Sequence, residues 1–275
     1  TKKTMSIAQE LYEGIDIESL LKEAEEGIKE RLVLASQRNL QYRYPQIMRN
    51  NERMYNCVGV LFNKNDYFQK CFHVLLSGCG LDFSIRKKFI SQLSPIYRRT
   101  SGTKTFVIED SIEGWSDALG VLMSSYLGDN QPFPEFSGYE IKFDYTLIRQ
   151  KGSYIAGGFK QSLEFIESLL EKWISTEGNQ IRPILVYDII MHAANAVLSG
   201  GVRRSACSVL IDEDDTEMIY AKIGNWRQDN PQRARSNNAV GLIRNNFSYE
   251  KLKEIIELNH GDNDISFIFV HDEEE

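Results

Sequence analysis

Residues 183–211 read PILVYDIIMHAANAVLSGGVRRSACSVLI. Pro183 suits the first turn of a helix, where a backbone N–H would have no partner. From Ile184 to Leu198 the chain is apolar nearly all round, broken only by Asp188, His192 and Asn195. Such a helix is expected to be buried. Gly200-Gly201 ends it, and Ala206–Ile211 reads as a short strand. A buried helix feeding a buried strand is the unit from which α/β folds are built.

Working outward, the same alternation continues in both directions. Upstream, Leu163, Phe165, Ile166, Leu169, Leu170 and Trp173 form one face of an amphipathic helix. Residues 139–147 (YEIKFDYTL) alternate like a strand, with Ile141, Phe143 and Tyr145 on one side. A helix is expected at 113–127, begun at Ser111 after Glu109-Asp110, and another at 66–77, stopped by Gly78. Downstream, a helix near 248–259 closes at Gly261, and ISFIFV (265–270) reads as a final buried strand. Near the start, Asp16 can cap a helix carrying Leu20, Leu21, Ala24 and Ile28, running to about Leu34 before Pro45 breaks the pattern. The expected organisation is a helical cap over 1–50 and an α/β domain with much parallel sheet over 51–275. No internal repeat or low-complexity linker is visible.

Composition is that of an ordinary globular protein: 275 residues, 42% hydrophobic and 26% charged. No run approaches the roughly 18 apolar residues that span a bilayer, and the start TKKTMSIAQELYEG lacks the apolar core of a secretion signal. A cytoplasmic protein without a membrane partner is expected. The net charge of −7 argues against a DNA or RNA polymer as partner, since phosphate backbones call for clustered Lys and Arg. A single nucleotide is compatible with it, because a few local cations and backbone amides hold one ligand.

The four cysteines, Cys57, Cys71, Cys79 and Cys207, are too few for a disulfide scaffold, and none forms a CxxC pair or stands at zinc-ligand spacing from the four histidines. No metal site is expected. Cys71 and Cys207 read as small core residues, and His73 and His192, on apolar helical faces, as core histidines. Glu109, Asp110 and Glu113 read as the acidic start of a helix. Arg149 and Lys151, with Gly152, Gly157 and Gly158, make a flexible cationic loop suited to phosphates. Gly200, Gly201, Arg203 and Arg204 combine backbone freedom with bidentate cations, or cap a helix C-terminus. Asn237 and Asn238 can bond a nucleotide or satisfy buried backbone.

Four motifs occur in order: MYNC (54–57) with LLSGCGLDFSI (75–85), VIEDSIEGW (107–115), LIRQKGSYIAGGFK (147–160), and SGGVRRSA (199–206) with RARSNNAV (233–240). Together they resemble the coenzyme-B12-dependent (class II) ribonucleotide reductases, most closely the monomeric ribonucleoside-triphosphate reductases, over about residues 50–243. The resemblance implies the first half of a ten-stranded α/β barrel. It implies radical reduction of ribonucleotides to 2′-deoxyribonucleotides with adenosylcobalamin, allosteric control and a redox-active disulfide. Cys57 matches the family's first reducing cysteine, with Asn56 and Tyr55 at the substrate edge. Arg149, Lys151 and Gly152 match one effector loop, and Gly200, Gly201, Arg203 and Arg204 the specificity loop. The implied ligands are a ribonucleoside triphosphate substrate and a deoxynucleotide effector. Cys79 stands where relatives commonly have glycine.

The resemblance also implies an Asn-Pro-Cys-Gly-Glu loop after ISFIFV, bearing the thiyl-radical cysteine. The sequence holds no such motif. The expectation is therefore the front part of a split, intein-interrupted or truncated enzyme, inactive alone. A second polypeptide or segment would supply that loop, and the isolated chain is expected to be poorly soluble or to depend on a second polypeptide for the remaining strands. The alternative is a nucleotide-binding regulatory module that kept the fold and lost catalysis.

Overall fold

The computed structural model describes residues 14, 16–33, 51–148, 154–197, 207–244, 246–259 and 264–271. They form two compact units, through Asn56 and from Cys57.

Among the described residues, the first unit contains helix α1 (Ile17–Lys29) and a 3-10 turn at Asn51–Met54. The Asp16 carboxylate caps α1 by accepting from the Ser19 N–H at 3.0 Å. The helix stops at Lys29, short of the Leu34 expected from periodicity. Arg31 adopts a left-handed φ of 62°, and the Leu32 N–H donates back to the Gly27 carbonyl at 2.8 Å. That closure satisfies the last carbonyls and turns the chain away.

The second unit contains β1 (Cys57–Leu61), α2 (Tyr67–Leu76), β2 (Gly80–Ser84), β3 (Thr103–Val107), α3 (Ile112–Tyr126) and β4 (Glu140–Asp144). It continues with α4 (Tyr154–Thr176), α5 (Pro183–Ala196), β5 (Cys207–Asp212), β6 (Ser236–Ile243), α6 (Tyr249–Leu258) and β7 (Ile265–Val270). Five strands make one sheet in the order β1-β2-β5-β6-β7, and every neighbouring pair is parallel. This is the α/β architecture with parallel sheet expected from the helix–strand alternation.

Two expectations are corrected. The strand read over 139–147 is shorter, Glu140–Asp144, and pairs with β3 in a separate two-stranded sheet. The Asp144 carboxylate accepts from the Thr146 N–H at 2.9 Å and folds the chain into a turn. Second, Gly157 and Gly158 do not belong to a flexible loop: both lie in the opening turns of α4.

The core is built from the helices against one side of the sheet. The rings of Trp115 and Phe159 stack at 4.3 Å, Phe159 and Phe72 at 5.8 Å, and Phe62 meets Phe68 edge-on at 4.9 Å. At the start of α3, Ser111 accepts from the Gly114 N–H at 2.9 Å. Gly114 is required there, because a Cβ would lie 2.5 Å from the Glu109 carbonyl. The acidic triplet 109–113 thus begins a helix, as its spacing implied.

Helix α5 is buried along nearly its whole length. Its one acidic group, Asp188, is held by the Arg233 guanidinium through two bonds of 2.8 and 2.7 Å. The Gln232 amide adds a third bond at 3.2 Å, and Arg233 also donates to the Ala221 carbonyl at 2.7 Å. Removing one member leaves the other charge buried without compensation. Asp188→Ala should therefore destabilise the chain by about 3 kcal/mol, read as a lower urea midpoint with an unchanged m-value. His192, also on α5, stacks on Phe165 at 5.4 Å. Burial pushes its imidazole below its usual value, Asp188 opposing and Arg233 reinforcing the shift. The unfolded chain takes up a proton near pH 6.5 that the folded chain resists. Stability should therefore fall as pH drops below about 6.5, and His192→Gln should flatten that part of a pH-dependent unfolding profile.

Candidate active face of the parallel sheet

Residues in register on parallel strands point to the same side of a sheet, and the side alternates at each step. Val60, Phe83, Val209, Asn238 and Ile265 form one register row across all five strands. The row behind it begins Val58, Leu81, Cys207, Ser236. Leu81, Phe83, Cys207, Val209, Ile211, Val240, Leu242 and Ile265 all belong to the buried core. This is the side against which the helices pack.

The opposite side carries the intervening rows. Cys57 stands beside Gly80; then come Gly59, Asp82, Ser208 and Asn237, and next Leu61, Ser84, Leu210, Ala239 and Ser266. None of these residues is part of the core cluster. Leu61 is 54% exposed and Ile268, further along the same side, 44%. Exposure on this side is uneven, since Ser84 is 5% and Ala239 3% exposed. Its amino-terminal end is small and polar, whereas the rows beyond are mixed with apolar residues.

Cys57 is the first residue of β1, at that polar end, and it is exposed. The other three thiols are buried. Burial pushes the Cys207 thiol up to about 12, the nearby Asp82 carboxylate adding to it. Burial also raises the Cys71 thiol strongly, with Cys207 and Asp66 acting the same way. A thiol held protonated in an apolar setting is a poor nucleophile and a poor redox group. The expectation that Cys71 and Cys207 are core residues therefore holds, Cys79 is buried as well, and Cys57 differs from all three in environment as well as in motif.

Tyr55 and Asn56 precede Cys57, close the first unit and are exposed; the Tyr55 N–H donates to the Glu52 carbonyl at 3.0 Å. Arg149, Lys151, Gly152, Gly200, Gly201, Arg203 and Arg204 lie outside the described residues. The two asparagines of SNNAV separate. Asn238 is buried on the helix side, where its side-chain oxygen accepts from Ser236 at 2.9 Å, and Ser236 meets the Tyr187 hydroxyl at 2.9 Å. Asn237 is exposed on the Cys57 side. Asp82 and Ser208, which share its row, were not singled out by sequence reasoning. The alternation of GLDFS and CSVLID could have placed them together once both were read as parallel strands. Among the described residues no cluster of three His, Cys, Asp or Glu side chains could hold a metal ion.

No family model matches the chain. In sequence it is 32% identical over 177 residues to a probable adenosylcobalamin-dependent ribonucleoside-triphosphate reductase of Dictyostelium discoideum. That match covers 59% of the chain but only 21% of the relative's length. In structure it superposes on the crystal structure of a B12-dependent (class II) ribonucleotide reductase with a TM-score of 0.69. That likeness is at 20% identity and covers 87% of this chain and 41% of the other. The chain is therefore related in sequence to an adenosylcobalamin-dependent ribonucleotide reductase over part of its length, and it has the α/β fold of the class II enzymes over most of it.

Proposed function

We propose that the chain supplies the substrate-facing sheet of a ribonucleotide reductase, with Cys57 as one of the two thiols that reduce the 2′-carbon of a ribonucleoside triphosphate. The observation that carries this reading is the exposure of Cys57 on the side of the sheet opposite the helices while the other three thiols are buried. In the overall reaction two thiols are oxidised to a disulfide, the 2′-carbon is reduced, and the 2′-hydroxyl leaves as water. The S–S and C2′–H bonds form as C2′–O and both thiol S–H bonds break, one thiol hydrogen going to C2′ and the other to the departing water. The second thiol comes from outside this chain, because Cys71, Cys79 and Cys207 are buried.

Tyr55 and Asn56 are proposed substrate contacts. Arg149, Lys151, Gly152, Gly200, Gly201, Arg203 and Arg204 are proposed to sense a deoxynucleotide effector. A second polypeptide or segment bearing the radical cysteine is the proposed cover for the open face. That face exposes Leu61 and Ile268, and strands β1 and β7 each have one described neighbour. Unpaired strand edges and apolar faces of this kind are ordinarily covered.

Adenosylcobalamin enters through the resemblance alone, and no step here passes through it. One described cavity, of about 400 Å³, is lined by polar loop residues such as Asn63, Gln92 and Asn130. Another, of about 490 Å³, lies along α1.

Brief treatment of the native chain with iodoacetamide should label Cys57 alone, and labelling after unfolding should reach all four cysteines; peptide mass mapping reads both. Saturating ribonucleoside triphosphate should slow labelling of native Cys57 severalfold. In the enzyme that contains this chain, Cys57→Ser should abolish reduction while nucleotide binding persists. Full turnover by that variant would overturn the assignment.

A further inference from the structure

Past the carboxyl end of β1, Asn63-Lys64-Asn65-Asp66 carries the chain from the strand into α2. Open parallel sheets bind ligands outside the carboxyl ends of their strands. Here these residues line the cavity of about 400 Å³, together with Gln92, Asn130 and Pro132. Its volume is that of a small-molecule site. Asn65 is 6% exposed and holds the walls in place. Its amide donates to the Ser94 hydroxyl at 2.8 Å and to the Asp129 carbonyl at 2.9 Å, and its oxygen accepts from the Ser94 N–H at 3.1 Å. One buried side chain thus fixes three loops around the cavity.

The other polar groups of the lining are incompletely used. Asp66 pairs with Lys70 through one carboxylate oxygen, while the other is buried without a hydrogen-bond partner. Although Asp66 stands at the start of α2, its side chain makes no capping bond. Asn63 donates to the Gln92 side-chain oxygen only at 3.5 Å, the long limit of a hydrogen bond. Lys64 is exposed, and its ammonium forms no ion pair among the described residues. The cavity therefore offers a carboxylate that lacks donors and a weakly held carboxamide. The Lys64 stem and the Pro132 ring add apolar surface.

A carboxylate selects a pair of adjacent N–H donors. Among the common nucleobases guanine presents such a pair, N1–H beside the 2-amino group, with the O6 acceptor next to them. Adenine offers a lone pair at N1, which a carboxylate repels. Uracil has a single N–H between two carbonyls, and cytosine a single amino group beside a lone pair. We propose that this cavity recognises the guanine base of a nucleotide. Asp66 accepts from N1–H and the 2-amino group, Asn63 donates to O6, and the Lys64 stem and Pro132 lie against the ring. Turning the buried Asp66 oxygen into the cavity gives it the donor it lacks. Leu61, where β1 ends, is already about 13 Å along the strand from Cys57. The guanine site is therefore separate from the thiol, and it stands or falls independently of the role of Cys57.

The test is calorimetric titration of the purified chain with GMP, IMP, AMP and XMP, the base being the only variable. GMP should bind most tightly. IMP, which lacks the 2-amino group, should bind about tenfold more weakly, the scale of one charge-assisted hydrogen bond. AMP should be weaker by about a hundredfold, because repulsion is added to the lost bonds. Asp66→Asn replaces an acceptor by a donor and should exchange the preference, weakening GMP and strengthening XMP, whose 2-position is a carbonyl. Thermal unfolding of that variant should match the parent. GMP at saturation should leave the iodoacetamide labelling rate of Cys57 unchanged. Equal binding of GMP and AMP, or no binding of GMP, would overturn the site. So would a folded Asp66→Asn chain that keeps the parent's order of affinities, or protection of Cys57 by GMP, which would place the nucleotide at the thiol instead.

Discussion

Parallel, in-register pairing of five strands is the constraint on which everything else depends. Side chains alternate sides with a period of two, so fixing the register fixes which residues enter the core and which face away. Val60, Phe83, Val209 and Ile265 go to the helices, and Cys57, Asp82, Ser208 and Asn237 go to the open side. A slip of β1 by one residue would send Cys57 into the core and Val58 out of it. The apolar helix-side rows prevent this, because exposing them would cost far more than any polar contact on the other face returns.

Charged groups tie the connecting segments to the sheet ends. Arg86, just after β2, donates to Asp212 at the end of β5 at 2.7 Å, and the same carboxylate accepts from the Lys87 N–H at 2.6 Å. Lys222, 1% exposed, donates to the Ser236 carbonyl at the start of β6 and sits 3.0 Å from the Asp264 carboxylate just before β7. Burial lowers the basicity of Lys222, and Asp264 opposes that shift. Buried pairs of this kind contribute little net stability compared with apolar packing, but they penalise any arrangement that separates them. They fasten the strand ends that carry the polar face.

Much of the architecture was legible from residues alone. The helix at 183–196, the strands at 207–212 and 265–270, and the capped starts at Asp16 and Ser111 follow from periodicity, proline and capping chemistry. Strands β1, β2, β3 and β6 were not delimited, because Gly59, Gly80, Asp82 and the SNN run lack the β-branched bulk that marks a strand in isolation. Neighbouring strands supply the hydrogen bonds that hold such residues extended. The strand at 140–144 was visible, but its membership of a second sheet was not, since pairing partners are set by contacts distant in sequence.

The sequence by itself determined the α/β class, the buried helix, and the choice of Cys57 among four cysteines through the motif around it. Tertiary structure alone decided that Cys57 shares a face with Asp82, Ser208 and Asn237, and that Asn238, one residue away, does not. The reason is physical. Which face a residue occupies is a property of its register with neighbouring strands, and here those residues are separated by up to 180 positions along the chain, from Cys57 to Asn237.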